Sequence, residues 1–339
     1  MAATEAVAAR YEADRVPAVA LPFGSRLNLC VYVALHRVAR SFRPDVIHIF
    51  ENKDVLPTMV VVRGRIPLVF YRCACVTPSK WNPLDQLIYF RRGGVDRFAA
   101  CSQATATSLV AAGVAPEKVV KLHPGFDPTE FEEDPRDLRQ ECGISPLVPL
   151  LGYVANIRPV KGFDILVKAI KLLNSTPLQV VVIGKDPGGA AEQMTREEGL
   201  ASQFRFLGHR PRAFRWMRSM DALIIPSRSE GLSKAAIEAM SLNRVVIASR
   251  VGGLLEFIED GDDGFLVPPE SPVALAEAIK RVLNDADLRQ KIGERARCKI
   301  GSRFSIEAAA DRALSLYRDL SLAGGSGKPT SRVATLSGR

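Results

Sequence analysis

Residues 222–240 read Ala222-Leu223-Ile224-Ile225-Pro226-Ser227-Arg228-Ser229-Glu230-Gly231-Leu232-Ser233-Lys234-Ala235-Ala236-Ile237-Glu238-Ala239-Met240. Four apolar residues run into a Pro-Ser-Arg-Ser-Glu-Gly loop, which opens a stretch of helical period. The short apolar run reads as a strand buried on both faces, as in a parallel sheet. The helix that follows would start at the carboxyl edge of that sheet, where open α/β sheets bind ligands.

The same alternation extends outward in both directions. Strands are predicted near Val148–Val154, Gln179–Ile183, Phe204–Leu207, Ala222–Ile225, Val245–Ala248 and Gly264–Val267. Helices fall between them, near Phe163–Leu173, Gly189–Glu198, Pro211–Met217, Ser233–Ser241 and Pro272–Leu283, with two more near Leu288–Ile300 and Ile306–Leu322. In the first half, strands are expected at Asp45–Phe50, Pro67–Tyr71, Arg97–Cys101 and Lys118–His123. Helices are expected there at Arg26–Ser41, Lys53–Val62, Pro83–Phe90 and Gln103–Ala112, the last capped by Ser102. Asp127–Pro149 breaks the pattern with Pro128, Pro135, Pro146, Pro149 and the acidic run Glu130–Asp137, and reads as a linker. The expectation is an α/β chain with two Rossmann-like domains. Residues 1–126 form the first, 127–149 the linker, 150–303 the second, 304–322 a closing helix and 323–339 a disordered Gly/Ser/Lys-rich tail.

Composition agrees with a folded two-domain chain of 339 residues, 47% hydrophobic and 24% charged. No run approaches the ~18 apolar residues of a membrane span. Met1–Asp14 lacks the apolar core of a secretory signal, so a cytoplasmic location is predicted. The cysteines Cys30, Cys73, Cys75, Cys101, Cys142 and Cys298 are scattered without a CxxC pair and read as structural thiols. A net charge of +9 suits an anionic partner, or serves solubility alone. Zinc-finger spacing and aromatic RNA-binding motifs are both missing from the sequence, so nucleic acid is not expected. In Arg26–Arg43, Arg37, Arg40 and Arg43 recur at near-helical spacing. That segment is either a basic helix resting on the cytoplasmic membrane face or an ordinary helix with a charged outer side.

The chemistry concentrates in the second half. A helix N-terminus after Ile225 offers unpaired N–H groups and about half an elementary positive charge, which suits a diphosphate. Gly231 lets the backbone approach closely. Glu230 in the loop and Glu238 two turns into the helix can accept hydroxyl hydrogen bonds from two parts of one long ligand. Glu238 lies inside an apolar stretch, where a carboxylate needs a partner. A second motif, Gly152-Tyr153-Val154-Ala155-Asn156-Ile157-Arg158-Pro159-Val160-Lys161-Gly162-Phe163-Asp164, puts Arg158 and Lys161 at the same sheet edge as a clamp for pyrophosphate. Gly208-His209-Arg210 could meet a nucleobase through backbone groups, or His209 could be an ordinary loop histidine. Val251-Gly252-Gly253-Leu254-Leu255-Glu256 is a glycine turn that could frame a sugar.

In combination these residues resemble the family 4 retaining glycosyltransferases of the GT-B superfamily. The resemblance rests on Lys161-Gly162-Phe163-Asp164, the Glu230-x7-Glu238 motif, Val251-Gly252-Gly253 and the turn Asp260–Val267. In the first half it rests on Arg43-Pro44-Asp45-Val46-Ile47-His48 and Gly125-Phe126-Asp127 through Phe131. It covers about Phe42 to Leu320 and implies a GT-B fold, two Rossmann-like domains whose parallel sheets face across a cleft. It implies sugar transfer from a UDP- or GDP-linked donor to a glycan or lipid-linked acceptor, with retention, as in polysaccharide biosynthesis. No metal or other cofactor is implied.

Carried onto matching positions, the resemblance implies that Lys161 binds the diphosphate and Glu230 contacts the donor sugar. The backbone of Gly231, Leu232 and Ser233 would meet the phosphates, and Glu238 the ribose. Two positions depart from the family pattern. Asn156 stands where the diphosphate arginine is usual, with Arg158 two residues on. Arg72 stands where a histidine usually faces the sugar. The resemblance further implies that the opening strand–glycine–helix unit is missing before Arg26, roughly 40–60 residues judged by the size of a βαβ unit. Alternative readings are a GT-B epimerase or phosphorylase, or an inactive nucleotide-sugar-binding protein.

Overall fold

The computed structural model describes residues 28–75, 94–127 and 136–323, with Ala18, Val19, Leu21 and Phe131, and without 63, 65, 174 and 175. The helix expected at Pro83–Phe90, the opening Met1–Asp14 and the tail after Ala323 lie outside the described residues. Two compact units are present: residues 1–123 with 310–339, and residues 124–309.

The first unit contains α1 (Leu29–Phe42), β1 (Ile47–Ile49), α2 (Asn52–Val62), β2 (Leu68–Arg72), β3 (Arg97–Ala100), α3 (Gln103–Ala111) and β4 (Val119–Lys121). Its strands are parallel, in the order β1-β2-β3-β4. Adjacent residues Val69 and Phe70 are both fully buried, because each sheet face is covered. On one face Phe70 and Phe98 pack with Val55 and Leu109 from α2 and α3. On the other, Val69 and Ala99 pack with Leu316 and Leu320 of α12 (Ile306–Ala323), which starts in the second unit and groups with the first from Ala310. Ser102 caps α3, its Oγ accepting from Thr105 N at 3.1 Å. α1 turns Val31 and Leu35 inward and leaves Arg37 and Arg40 exposed.

His48 joins β1 to α12 through a 2.5 Å hydrogen bond between its Nδ1 and the Tyr317 hydroxyl, and it stacks on Phe50. Burial lowers its pKa to about 4. An unfolded histidine titrates near 6.5, so between these values the unfolded chain binds a proton that the native chain refuses. The first unit is therefore expected to lose stability as pH falls from about 6.5 toward 4. Thermal melts at pH 7 and pH 5 check this, with His48→Gln expected to remove that part of the pH slope. Equal slopes in both proteins would show that His48 does not carry the effect.

The second unit contains β5 (Leu150–Val154), α5 (Phe163–Leu172), β6 (Gln179–Ile183), α6 (Ala190–Glu197), β7 (Phe204–Gly208), α7 (Phe214–Met217) and β8 (Ala222–Ile225). It continues through α8 (Lys234–Ser241), β9 (Val245–Ser249), α9 (Leu254–Phe257), β10 (Phe265–Val267), α10 (Pro272–Asn284) and α11 (Ala286–Arg303). The six strands are parallel in the order β10-β9-β8-β5-β6-β7. The chain builds outward from β5 to β7, then crosses back to lay β8 on the other side of β5. The boundary between β5 and β8 is thus the topological switch point, where crossovers diverge and leave a crevice at the carboxyl ends.

The proline-rich stretch 127–149 holds one further helix, α4 (Leu138–Cys142), before β5. Asp137 caps it through Arg139 N and Gln140 N, and Gly143 ends it in the left-handed region. Glu141 accepts from Trp216 Nε1 at 2.8 Å, which ties α4 to the second unit. Five residues are too few for a helical period to show in sequence.

Candidate functional site

The loops leaving β5 and β8 enclose a cavity of about 290 Å³. Arg158, Lys161, Glu230, Leu232 and Ser233 line it, with Asn156 beside them. The two motifs read from sequence, almost seventy residues apart, thus meet at the switch point.

Lys161 Nζ lies 2.7 Å from Glu230 Oε1, and Ser227 Oγ donates to the same oxygen at 2.8 Å. Glu230 is only 5% exposed. A carboxylate so desolvated is tolerated because a cation and a hydroxyl both serve it. The buried Tyr153 hydroxyl, donating to Lys161 O at 3.4 Å, has its pKa pushed up by burial and then by the Glu230 and Asp164 charges, so it remains a donor.

Three backbone approaches fix these side chains. Gly162, at φ +65°, lies so close to the β8 loop that a Cβ would sit 1.9 Å from Pro226 O. Gly252, at φ +57°, lies against the Glu230 backbone, where a Cβ would be 1.8 Å from Glu230 O. Gly253 N donates to that same oxygen at 3.1 Å. The glycine turn Val251–Glu256 therefore holds the Glu230 loop from behind.

A side-chain clamp does the same for the Lys161 loop. Arg228 donates two parallel bonds to Asp164, at 2.9 and 2.8 Å, and a third to Pro159 O at 2.6 Å. Its guanidinium holds the Asp164 carboxyl below the usual carboxylate range. Sequence reading missed Arg228, Asp164, Ser227 and Tyr153 as site residues. Nothing in a linear pattern couples Asp164 to Arg228, although Asp164 lies inside the Lys-Gly-Phe-Asp motif.

α8 starts at this cavity. Ser233 occupies its N-cap with extended backbone but makes no side-chain capping bond, so its own hydroxyl does not occupy the first-turn N–H groups. Gly231 is buried in the loop before it. Glu238, 7% exposed on α8, lies 3.6 Å from Lys234 and is not among the cavity-lining residues.

Gly208, His209, Arg210 and Arg72 are not among the lining residues, and the Asn156 side chain is engaged elsewhere. Gly208 ends β7 and accepts from Gly184 N at 2.9 Å, while His209 is exposed. The Arg210 guanidinium pairs with Glu141 at 3.0 Å and lies over the Trp216 ring. Asn156 Oδ1 accepts from Lys185 N at 3.0 Å, so its side chain serves the loop after β6. Arg72 belongs to the first unit, where it donates to Asn52 Oδ1 at 2.9 Å and lies over Phe70. Elsewhere, Glu259, Asp262 and Asp263 gather their carboxylates, and Lys299 and Arg295 form ion pairs with them.

Comparison with known families gives this geometry a context. The model described as Glycosyltransferase Family 4 matches residues 2–130, and that described as Glycosyl transferases group 1 matches residues 148–285. Both are glycosyltransferase models, one over the first part of the chain and one over the second, and the fold is GT-B. D-inositol 3-phosphate glycosyltransferase 2 of Catenulispora acidiphila is 32% identical over 238 residues, 66% of this chain and 56% of that protein. The D-inositol 3-phosphate glycosyltransferase of Jonesia denitrificans is 31% identical over 219 residues, 60% and 51% of the two chains. This GT-B chain spans about half the length of the curated relatives it matches. Among solved structures, Anabaena HepE in complex with UDP and glucose superposes with a TM-score of 0.81 at 22% identity, covering 93% of this chain and 89% of that one. Sucrose-phosphate synthase from Thermosynechococcus elongatus gives 0.76 at 22% identity, covering 87% and 78%. Among the described residues of this GT-B chain, no helix is long and apolar enough to cross a membrane.

Proposed function

We propose that the chain transfers a sugar from a UDP- or GDP-linked donor to a glycan or lipid-linked acceptor, with retention of configuration. The observation that carries the reading is the Lys161–Glu230 pair at the switch point, beside an α8 N-terminus without a side-chain cap. A diphosphate placed there would meet the N–H groups after Gly231, at Leu232 and Ser233, and the charges of Lys161 and Arg158. Glu230 would then face the sugar, held from behind by Gly252 and Gly253. Glu238 would bind the ribose, Gly208 to Arg210 the base, and Arg72 the sugar from the first unit.

The cations supply the main catalytic effect. As the sugar–phosphate bond breaks, negative charge grows on the departing diphosphate, and Lys161 and Arg158 stabilise it in a preorganised site. The departing phosphate oxygen takes the acceptor proton, so no separate base is required, and no metal is required to neutralise the charge. Anabaena HepE has been solved with UDP and with UDP-glucose, which supports a nucleotide-linked donor. For a lipid-linked acceptor, the exposed arginines of α1 would rest on an anionic cytoplasmic leaflet.

Titration calorimetry of the full chain with UDP and with GDP, in EDTA, tests the donor site. Binding of one or both without divalent metal is expected. Absence of heat from either at millimolar concentration, with the chain shown to be folded, would overturn the reading.

A further inference from the structure

β2 and β3 run side by side, and their register extends past the ladder. Arg72 pairs with Ala100, and Cys101 N donates to Arg72 O at 2.9 Å. The next residue on each segment is a cysteine, so Cys73 falls beside Cys101. Successive strand residues alternate faces, which puts both thiols on the side that carries Tyr71 and Ala99. Neighbouring strands lie about 4.7–4.9 Å apart, inside the roughly 4.4–6.8 Å Cα separation that a disulfide spans.

The two thiols differ in character. Cys73 is exposed and Cys101 fully buried. The Cys101 thiol hydrogen-bonds toward Cys73 and lowers its pKa to about 7, helped by the Tyr71 hydroxyl and the Arg72 charge and opposed by the partial desolvation that neighbouring groups impose on this surface thiol. The same coupling, together with burial, pushes Cys101 up and keeps it protonated. Thr105 Oγ1 holds Cys101 Sγ at 3.5 Å. An accessible thiolate beside a shielded thiol is the arrangement of a reactive cysteine and its resolving partner.

We propose that Cys73 is a hydroperoxide-reactive thiol and that Cys101 resolves its oxidised form into an intrachain disulfide at the end of the first sheet. The Cys73 thiolate attacks one peroxide oxygen and the O–O bond breaks. Cys73 becomes a sulfenic acid, and the departing hydroxide takes a proton to become water. The Cys101 sulfur then attacks the Cys73 sulfur, and the S–O bond breaks. The hydroxyl leaves with the Cys101 proton as a second water. Two thiols lose two electrons and hydrogen peroxide gains them. A dithiol reductant reverses the bridge by exchange.

The test treats the full chain with near-equimolar hydrogen peroxide, blocks the remaining thiols and maps the peptides. A Cys73–Cys101 bridge that dithiothreitol removes is expected, and Cys75→Ser should leave it intact. In Cys101→Ser, which keeps a hydroxyl donor beside Cys73 but cannot form the bridge, dimedone added with the peroxide should capture Cys73 about tenfold faster than the exposed Cys298. Because Cys101 is fully buried that variant can be less stable, and the wild-type map decides independently. A map in which Cys298 oxidises while Cys73 stays reduced, or in which Cys73 bridges to Cys75, would overturn the proposal.

Discussion

Lys161→Ala is expected to lower turnover by about a hundredfold, on the order of 3 kcal/mol of transition-state stabilisation. The reason lies in where Lys161 sits. Its ammonium shares a cavity with the uncapped start of α8 and makes a 2.7 Å ion pair with a 5% exposed Glu230. Its charge is delivered in a partly desolvated setting, where it acts more strongly on a developing phosphate charge than it would in water. Removing it also strips Glu230 of its cation, leaving Ser227 as its hydroxyl partner. Glu238→Ala should behave differently. A ribose contact persists from ground state to transition state, so its loss should raise KM for the donor and leave kcat close to wild type. Initial rates of nucleotide release over a range of donor concentrations separate the two. Wild-type kcat in Lys161→Ala, or a kcat loss in Glu238→Ala as large as that of Lys161→Ala, would remove the roles proposed for these residues.

Gly162→Ala is expected to destabilise the second unit by about 3 kcal/mol, lowering its melting temperature by roughly 6–12 °C. Two costs add here. The left-handed backbone disfavours any Cβ, and this Cβ would fall 1.9 Å from Pro226 O, a backbone atom that cannot swing away. Relief requires the Lys161 loop and the Glu230 loop to part, which would separate the ion pair and depress activity further than the loss of stability alone. Gly188 supplies the control. It is also left-handed, at φ +81°, but a Cβ there would meet nothing within 4 Å. Gly188→Ala should therefore cost only the backbone preference, about 1–2 kcal/mol. Equal melting temperatures for the two variants would show that the loops at the switch point are not in the close contact described.

Much of the fold was legible because parallel strands are buried on both faces. Val180–Ile183 and Ala222–Ile225 appear as unbroken apolar runs, and α5 and α10 show wide apolar stripes at helical spacing. Lys161, Arg158, Glu230 and Ser233 were legible as site candidates for a related reason. Arg158, Lys161 and Glu230 lie in loops between a predicted strand and a predicted helix, Ser233 opens such a helix, and the carboxyl end of a parallel sheet collects these segments at one edge. Arg210 was read from the same logic at β7, and the structure engages its guanidinium with Glu141 of a helix too short to leave a periodic trace.

The sequence by itself therefore determined most of the described elements, their parallel character and the sheet edge that collects the candidate loops, since these follow from burial and backbone preferences within a few residues. Only the tertiary structure decided the strand order β10-β9-β8-β5-β6-β7, and with it the crevice where the β5 and β8 loops diverge. It alone decided that Arg228 clamps Asp164, that Ser227 serves Glu230, and that Gly252 backs the Glu230 carbonyl. It alone set Cys73 beside Cys101. Pairings between residues tens of positions apart depend on crossover and register, and register is settled by packing the whole sheet at once.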